Sequence, residues 1–147
     1  MLYTVAFKIH IYISTITLLS GILTLVLSIQ GWVKKRDYSQ TDRWSSVIFN
    51  IGLYFQLILG FIIYFTLRTS LEGALWEVPD TENDASLRFW AIEHIALMIF
   101  ALFLTQLGRL FIKRATQSIR MFKASVFYYG TSLLLILFSI SIALFFR

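Results

Sequence analysis

Two histidines are the residues best suited to chemistry in this chain, and they are the only two among its 147 residues. His10 and His94 each lie in a long apolar segment, where an imidazole either hydrogen-bonds to a neighbouring helix or binds a metal. The chain contains no cysteine, which excludes thiolate metal sites, iron–sulfur clusters and dithiol redox chemistry. It has no Walker motif, HExxH motif or obvious nucleophile–base pair, so no catalytic residue is predicted.

The composition is typical of a membrane protein. Apolar residues make up 58% of the chain and charged residues 14%, whereas a soluble domain is about half apolar and about one quarter charged. The single proline and seven glycines exclude collagen-like and disordered chains. The net charge of +5 is concentrated in two loops, and membrane topology explains it better than nucleic-acid binding.

Four apolar segments are each long enough to cross a bilayer, which takes about 20 helical residues. We therefore predict an all-α fold, an integral membrane four-helix up-down bundle in a single domain over residues 1–147. The predicted spans cover approximately 2–29, 45–67, 88–111 and 124–146.

The charged residues predict the orientation, because Lys and Arg are enriched in cytoplasmic loops. Nine positive charges lie in the loops after spans one and three: Lys34, Lys35, Arg36, Arg43, Arg109, Lys113, Arg114, Arg120 and Lys123. The loop between spans two and three contains five carboxylates, from Glu72, Glu77, Asp80, Glu82 and Asp84. It should lie outside, and both termini are then outside as well (N-out/C-out).

Small and polar residues recur on one face of each span, as expected where helices pack in a membrane. In span one they are His10, Ser14, Thr17, Gly21, Thr24 and Ser28. In span three they are His94, Met98, Ala101, Thr105 and Gly108. Shorter sets are Gly52, Gln56 and Gly60 in span two, and Ser125, Tyr128, Ser132 and Ser139 in span four. Such stripes either only permit close packing or also line a site, and the pattern alone leaves both interpretations open.

Each histidine heads its stripe, and at 1.5 Å per residue both lie roughly 10 Å below the outer surface. Spans one and three are diagonal neighbours in an up-down bundle, so the two imidazoles could bind one metal from opposite sides. A haem iron with two axial histidines needs that arrangement. Zinc is less well matched, because tetrahedral sites need three or four protein ligands. The alternative is that His10 and His94 only hydrogen-bond across helix interfaces.

Three spans resemble a family of small bacterial four-helix membrane proteins described as cytochrome-b-like. The most distinctive segment is LRFWAIEH, which ends at His94, followed by TQLGR at 105–109 and KRA at 113–115. The family also has a histidine motif early in span one, matched by His10, and a Gln-Leu-x-Leu-Gly pattern, matched by QLILG at 56–60. Lys8 and Tyr54 stand where members often have further histidines.

The resemblance implies a multi-pass protein of the bacterial inner (cytoplasmic) membrane that carries a b-type haem on His10 and His94. We expect electron transfer between a quinol and a partner, with a quinone as a second candidate cofactor. Arg88, Arg68 or Lys8 would pair with the haem propionates. The alternative is a non-catalytic accessory subunit of a larger respiratory or transport complex, with structural histidines. A small transporter or channel is a third hypothesis, and homo-oligomerisation is open in each case.

Overall fold

The computed structural model describes residues 2–71 and 93–145. They form four helices, which we label α1 (Leu2–Lys34), α2 (Gln40–Leu71), α3 (His94–Arg114) and α4 (Ser118–Phe145). All four are long and apolar enough to cross a membrane. The prediction of an all-α fold with four apolar helices is therefore confirmed.

The helices alternate in direction. Ser28 of α1 bonds to Ser125 of α4, with 2.6 Å between the hydroxyl oxygens, and His10 lies level with Gln56 of α2. The short connections 35–39 and 115–117 meet at one end, where the Tyr38 backbone N–H donates to Ser118 Oγ at 3.1 Å. We call this end of the bundle the loop end, and the opposite end the histidine end.

Each helix packs mainly against two neighbours, so that the four contact one another in a ring. α1 lies against α2 and α4, and α3 lies against α4 and, less extensively, against α2. Consequently α1 and α3 are diagonal across the bundle, as the up-down prediction required. The weakest of these four contacts, between α2 and α3, leaves room for a cavity described below.

The small polar stripes face the interior of the bundle. Thr24, Thr105 and Ser132 are almost completely buried. Many of the hydroxyls bond to a carbonyl one turn earlier in their own helix, as Ser28 does to Thr24 at 2.7 Å. This internal bonding lets polar side chains lie between helices without water. Span two follows its predicted stripe only in part, because none of the described residues comes within 4 Å of a Cβ placed on Gly60.

Large apolar side chains cover the outside of the bundle. Tyr12, Leu134 and Phe127 are each more than 60% exposed, which suits contact with lipid rather than with water. The apolar core is small and lies around Phe49, Leu53 and Tyr129. This distribution is typical of a membrane bundle, with large apolar side chains on the outside and hydroxyl groups among the apolar side chains between the helices.

Candidate histidine site across the bundle

The two histidines meet across the centre of the bundle at the histidine end. His10 comes from the third turn of α1, and His94 is the first residue of α3. Their ring centroids are 6.5 Å apart and their planes lie at 72° to each other. Both side chains are half-buried. The structure thus brings together the two residues that the sequence analysis selected, from diagonal helices.

Ser139 of α4 orients the ring of His94. Its hydroxyl lies 2.7 Å from His94 Nδ1, and the serine side chain is completely buried. Because Nδ1 is engaged, a bond from His94 to a metal would be made by Nε2. A metal-bound histidine usually has its other ring nitrogen held in this way, by a hydrogen bond that fixes the ring.

Gln56 of α2 supports His10 through the backbone. Gln56 Nε2 donates to the His10 carbonyl oxygen at 3.0 Å, and the Ser14 hydroxyl donates to the same oxygen at 2.7 Å. The first bond joins α2 to α1 at the level of the histidines. His10 is therefore held at a fixed depth by two neighbours that do not touch its ring.

Two polar atoms at this level are buried without a hydrogen-bond partner among the described residues: His10 Nδ1 and Gln56 Oε1. Buried polar atoms are nearly always satisfied, and an exception needs an explanation such as a water, an ion or a ligand. Both atoms belong to residues of the histidine site. A water, an ion or a ligand would satisfy them.

The three cations expected near a haem are only partly described. Lys8 is exposed and, two residues before His10, lies about 200° around the helix from it. Arg68 lies in α2, but its side chain is outside the described residues, as is the whole of Arg88. A propionate-binding role for these residues stays a prediction.

The side chains that could bind a metal at this site are few. Within residues 2–71 and 93–145, no group of three or more His, Cys, Asp or Glu side chains is placed to hold a metal. Two imidazoles suffice for an iron whose other ligands come from a macrocycle, whereas tetrahedral zinc needs three or four protein ligands.

The sequence analysis selected the two histidines but did not predict that Ser139 and Gln56 bond to them. Ser139 belongs to the predicted stripe of span four, and Gln56 to that of span two. A stripe shows which residues face inward, but it does not show which residue of one helix lies level with which residue of another. A signal was present in retrospect, since Ser132 and Ser139 are two helical turns apart on the face of α4 that contacts α3.

Comparison of the chain with protein-family models, with curated proteins and with solved structures gives no match. Any functional conclusion therefore depends on the residues and geometry of the site itself.

Proposed function

We propose that the chain is a b-type cytochrome-like membrane electron-transfer protein in which His10 and His94 are the axial ligands of one haem. The observation that carries the proposal is the 6.5 Å separation of the two ring centroids across the bundle. A haem iron held by two histidines needs one imidazole on each side. Two rings this close together, brought from diagonal helices, are placed to supply that pair.

The surroundings of the two rings fit the same group. Ser139 supplies the hydrogen bond that a metal-bound His94 would need at Nδ1. The buried Nδ1 of His10 has no partner among the described residues, so the ring is not already committed to a neighbouring side chain through this nitrogen. No protein carboxylate is needed, because the porphyrin supplies the other iron ligands.

A haem bound here would supply reversible one-electron chemistry at its iron. The residues of the chain supply ligation, orientation and exclusion of water. Ser139 holds the angle of the His94 ring, while Gln56 fixes the depth of His10. The apolar bundle around the pair keeps the local dielectric low, which together with axial ligation sets a reduction potential.

We further propose that the histidine end faces the outside of a bacterial inner membrane. All nine loop cations lie toward the loop end, which the positive-inside rule places in the cytoplasm. The 21 residues of α3 span about 30 Å, so a single redox centre at its first residue lies far from the loop end. Electrons would therefore be exchanged at the outer side, with a quinol close to the histidines or with a membrane partner.

The test is a reduced-minus-oxidised visible spectrum of the detergent-purified protein after expression with ample haem. We expect sharp α and Soret bands from the wild-type chain, and their loss or strong alteration in His94→Ala and His10→Ala. The control is Ser28→Ala, which removes a buried inter-helix hydrogen bond near the loop end and should leave the bands unchanged.

A colourless wild-type protein would overturn the haem proposal. The chain would then be better explained as an accessory bundle, in which the His94–Ser139 bond and the contact between the two rings only join helices. In that case His94→Ala should alter the stability of the bundle but no spectrum.

A further inference from the structure

A cavity of about 610 Å³ lies at the loop end, where α2, α3 and α4 meet. It is separate from the histidine site, because its lining residue Gln106 is about 18 Å along α3 from His94. Its volume is within the range of about 300–1,000 Å³ found for small-molecule sites. The site proposed for electron transfer does not use it.

The rim of this cavity is strongly basic. Arg43, Arg109 and Lys113 line it, and the lining contains no acidic residue. The nearby carboxylate of Asp42 is already taken, since Arg36 binds both of its oxygens at 2.6 Å. Among the described residues, none of the three rim cations has a carboxylate within 4.0 Å. Their charge is therefore available to an anion.

The floor of the cavity is polar and ordered by hydrogen bonds. Gln106 Nε2 donates to Asn50 Oδ1 at 2.8 Å, and Asn50 Nδ2 donates to the Ser46 carbonyl oxygen at 2.8 Å. Asn50 is 2% exposed and Tyr129, which also lines the floor, is 1% exposed. A polar floor at this depth is costly in a membrane bundle unless it serves packing or a ligand.

Tyr38 adds a neutral hydrogen-bond donor to the lining. A tyrosine hydroxyl is already protonated at neutral pH, and burial raises the pKa of Tyr38 to about 12, so it stays a neutral donor in alkaline solution as well. An anion in the cavity would contact the three cations and the neutral hydroxyl of Tyr38, which does not repel it. Half-buried Val47 and exposed Leu110 give the remaining lining an apolar part.

We propose that this cavity binds a phosphate group, held by Arg43, Arg109 and Lys113. One guanidinium group can donate two parallel hydrogen bonds to two oxygens of a phosphate. Basic pockets between membrane helices are known to bind anionic lipid headgroups. The phosphate has two candidate sources, an anionic phospholipid of the surrounding leaflet or a soluble phosphate compound. The proposal is independent of the haem.

The experiment is native mass spectrometry of the detergent-purified wild-type protein, titrated with phosphatidylglycerol and, in parallel, with phosphatidylcholine. A second arm measures binding of inorganic phosphate and glycerol 3-phosphate by calorimetry. The double variant Arg43→Gln/Arg109→Gln should weaken binding at least tenfold. The matched control is Arg114→Gln/Arg120→Gln, which removes two exposed charges from the same end but from outside the cavity, and should change binding less than twofold.

A third variant separates the cavity from general surface charge. Val47→Phe leaves every cation in place but fills part of the cavity, and it should also weaken binding at least tenfold. Preference for phosphatidylglycerol supports the lipid source, and saturable binding of either small anion supports the soluble source. Absence of both, equal loss in the control double variant, or unchanged binding in Val47→Phe would each overturn the proposal. Circular dichroism of each variant confirms that the helices are intact.

Discussion

At the scale of single residues, the hydrogen bond between His94 and Ser139 has two effects. It satisfies a buried hydroxyl of α4, and it fixes the ring of the candidate ligand on α3. In metal sites the hydrogen bond to the second ring nitrogen contributes to affinity, and its removal typically costs about 10–100-fold. If His94 holds a haem as proposed, Ser139 is a positioning residue rather than a ligand.

We predict that Ser139→Ala lowers haem affinity about tenfold while the spectrum keeps its bis-histidine shape. The physical reason is loss of ring orientation with both imidazoles still present. Affinity can be measured by titrating haem into the haem-free protein and following the Soret band. Ser132→Ala is the matched control, because Ser132 is equally buried on the same helix but donates to the Ala101 carbonyl oxygen at 3.0 Å.

Equal loss of affinity in the two serine variants would show that Ser139 acts only by stabilising the bundle. An unchanged affinity in Ser139→Ala would show that the 2.7 Å contact has no influence on ligation.

The sequence could predict where the two histidines lie in the bundle, but not which side chains contact them. The depth of each histidine follows from counting residues at 1.5 Å each, and the diagonal placement follows from alternating helix directions. The partners of the two histidines depend on how each helix is rotated and how far it slides along its neighbours. Packing between helices decides both quantities, so Ser139 and Gln56 became assignable only in three dimensions.

At the scale of helices, α1 and α2 extend beyond the predicted apolar spans on the loop side. α1 continues to Lys34 rather than 29, and α2 begins at Gln40 rather than 45. Apolarity predicts where the bilayer core ends, but the backbone hydrogen bonds of a helix continue until a capping motif stops them. The predicted start of the third span at 88 lies outside the described residues.

Capping motifs lie at the loop-side ends of both helices. Lys35 has φ 51°, and the bonds from Arg36 N to Gly31 O and from Lys35 N to Trp32 O form a Schellman motif. Ser39 and Asp42 form a capping box, in which the Ser39 N–H donates to the Asp42 carboxylate at 2.8 Å. The spacing S-x-x-D would have placed the start of α2 correctly.

Gly31 of α1 lies directly against Phe122 of α4, and its lack of a side chain allows the two helices to pack this closely. A Cβ at Gly31 would overlap the ring of Phe122. That ring is completely buried, and the Arg36 guanidinium lies 4.9 Å from its centroid. It also packs against Tyr38, with 5.2 Å between ring centroids. Because the ring is held on more than one side, it cannot move aside cheaply.

We therefore predict that Gly31→Ala destabilises the bundle by about 1–3 kcal/mol, the usual cost of overpacking a core. Gly60→Ala is the matched control, since a Cβ there meets no described residue within 4 Å. It should be neutral or stabilising by up to about 1 kcal/mol, because alanine is the better helix former. SDS titration in mixed micelles, followed by circular dichroism, measures both. A Gly31→Ala variant as stable as Gly60→Ala would show that the helices separate without cost.

At the scale of the whole molecule, charge is distributed unequally between the two ends of the bundle. The connections 35–39 and 115–117 lie side by side, so the cations predicted for two separate loops form one basic end. Arg36 is an exception among them, since it is paired with Asp42 and supports the fold. The other cations, which form no ion pair with a described residue and include Arg43 and Arg109 at the cavity, favour a cytoplasmic position for this end.

We predict that the loop end is cytoplasmic and that the chain is N-out/C-out. The absence of cysteine permits a direct test, since a single introduced thiol is then the only one. Thr116→Cys lies in the exposed 115–117 connection, and Thr4→Cys lies near the start of α1 at the opposite end. In intact bacterial cells a membrane-impermeant maleimide should label Thr4→Cys at once, and Thr116→Cys only after permeabilisation.

Phe127→Cys is the control for burial in lipid, because Phe127 is 64% exposed on the outside of α4 and should react slowly in both conditions. The reverse labelling pattern would place the basic loops outside and contradict the positive-inside argument. It would also move the histidine end to the cytoplasmic side, so that a haem there would exchange electrons with cytoplasmic rather than external partners. The labelling result therefore decides on which side of the membrane a redox partner is to be sought.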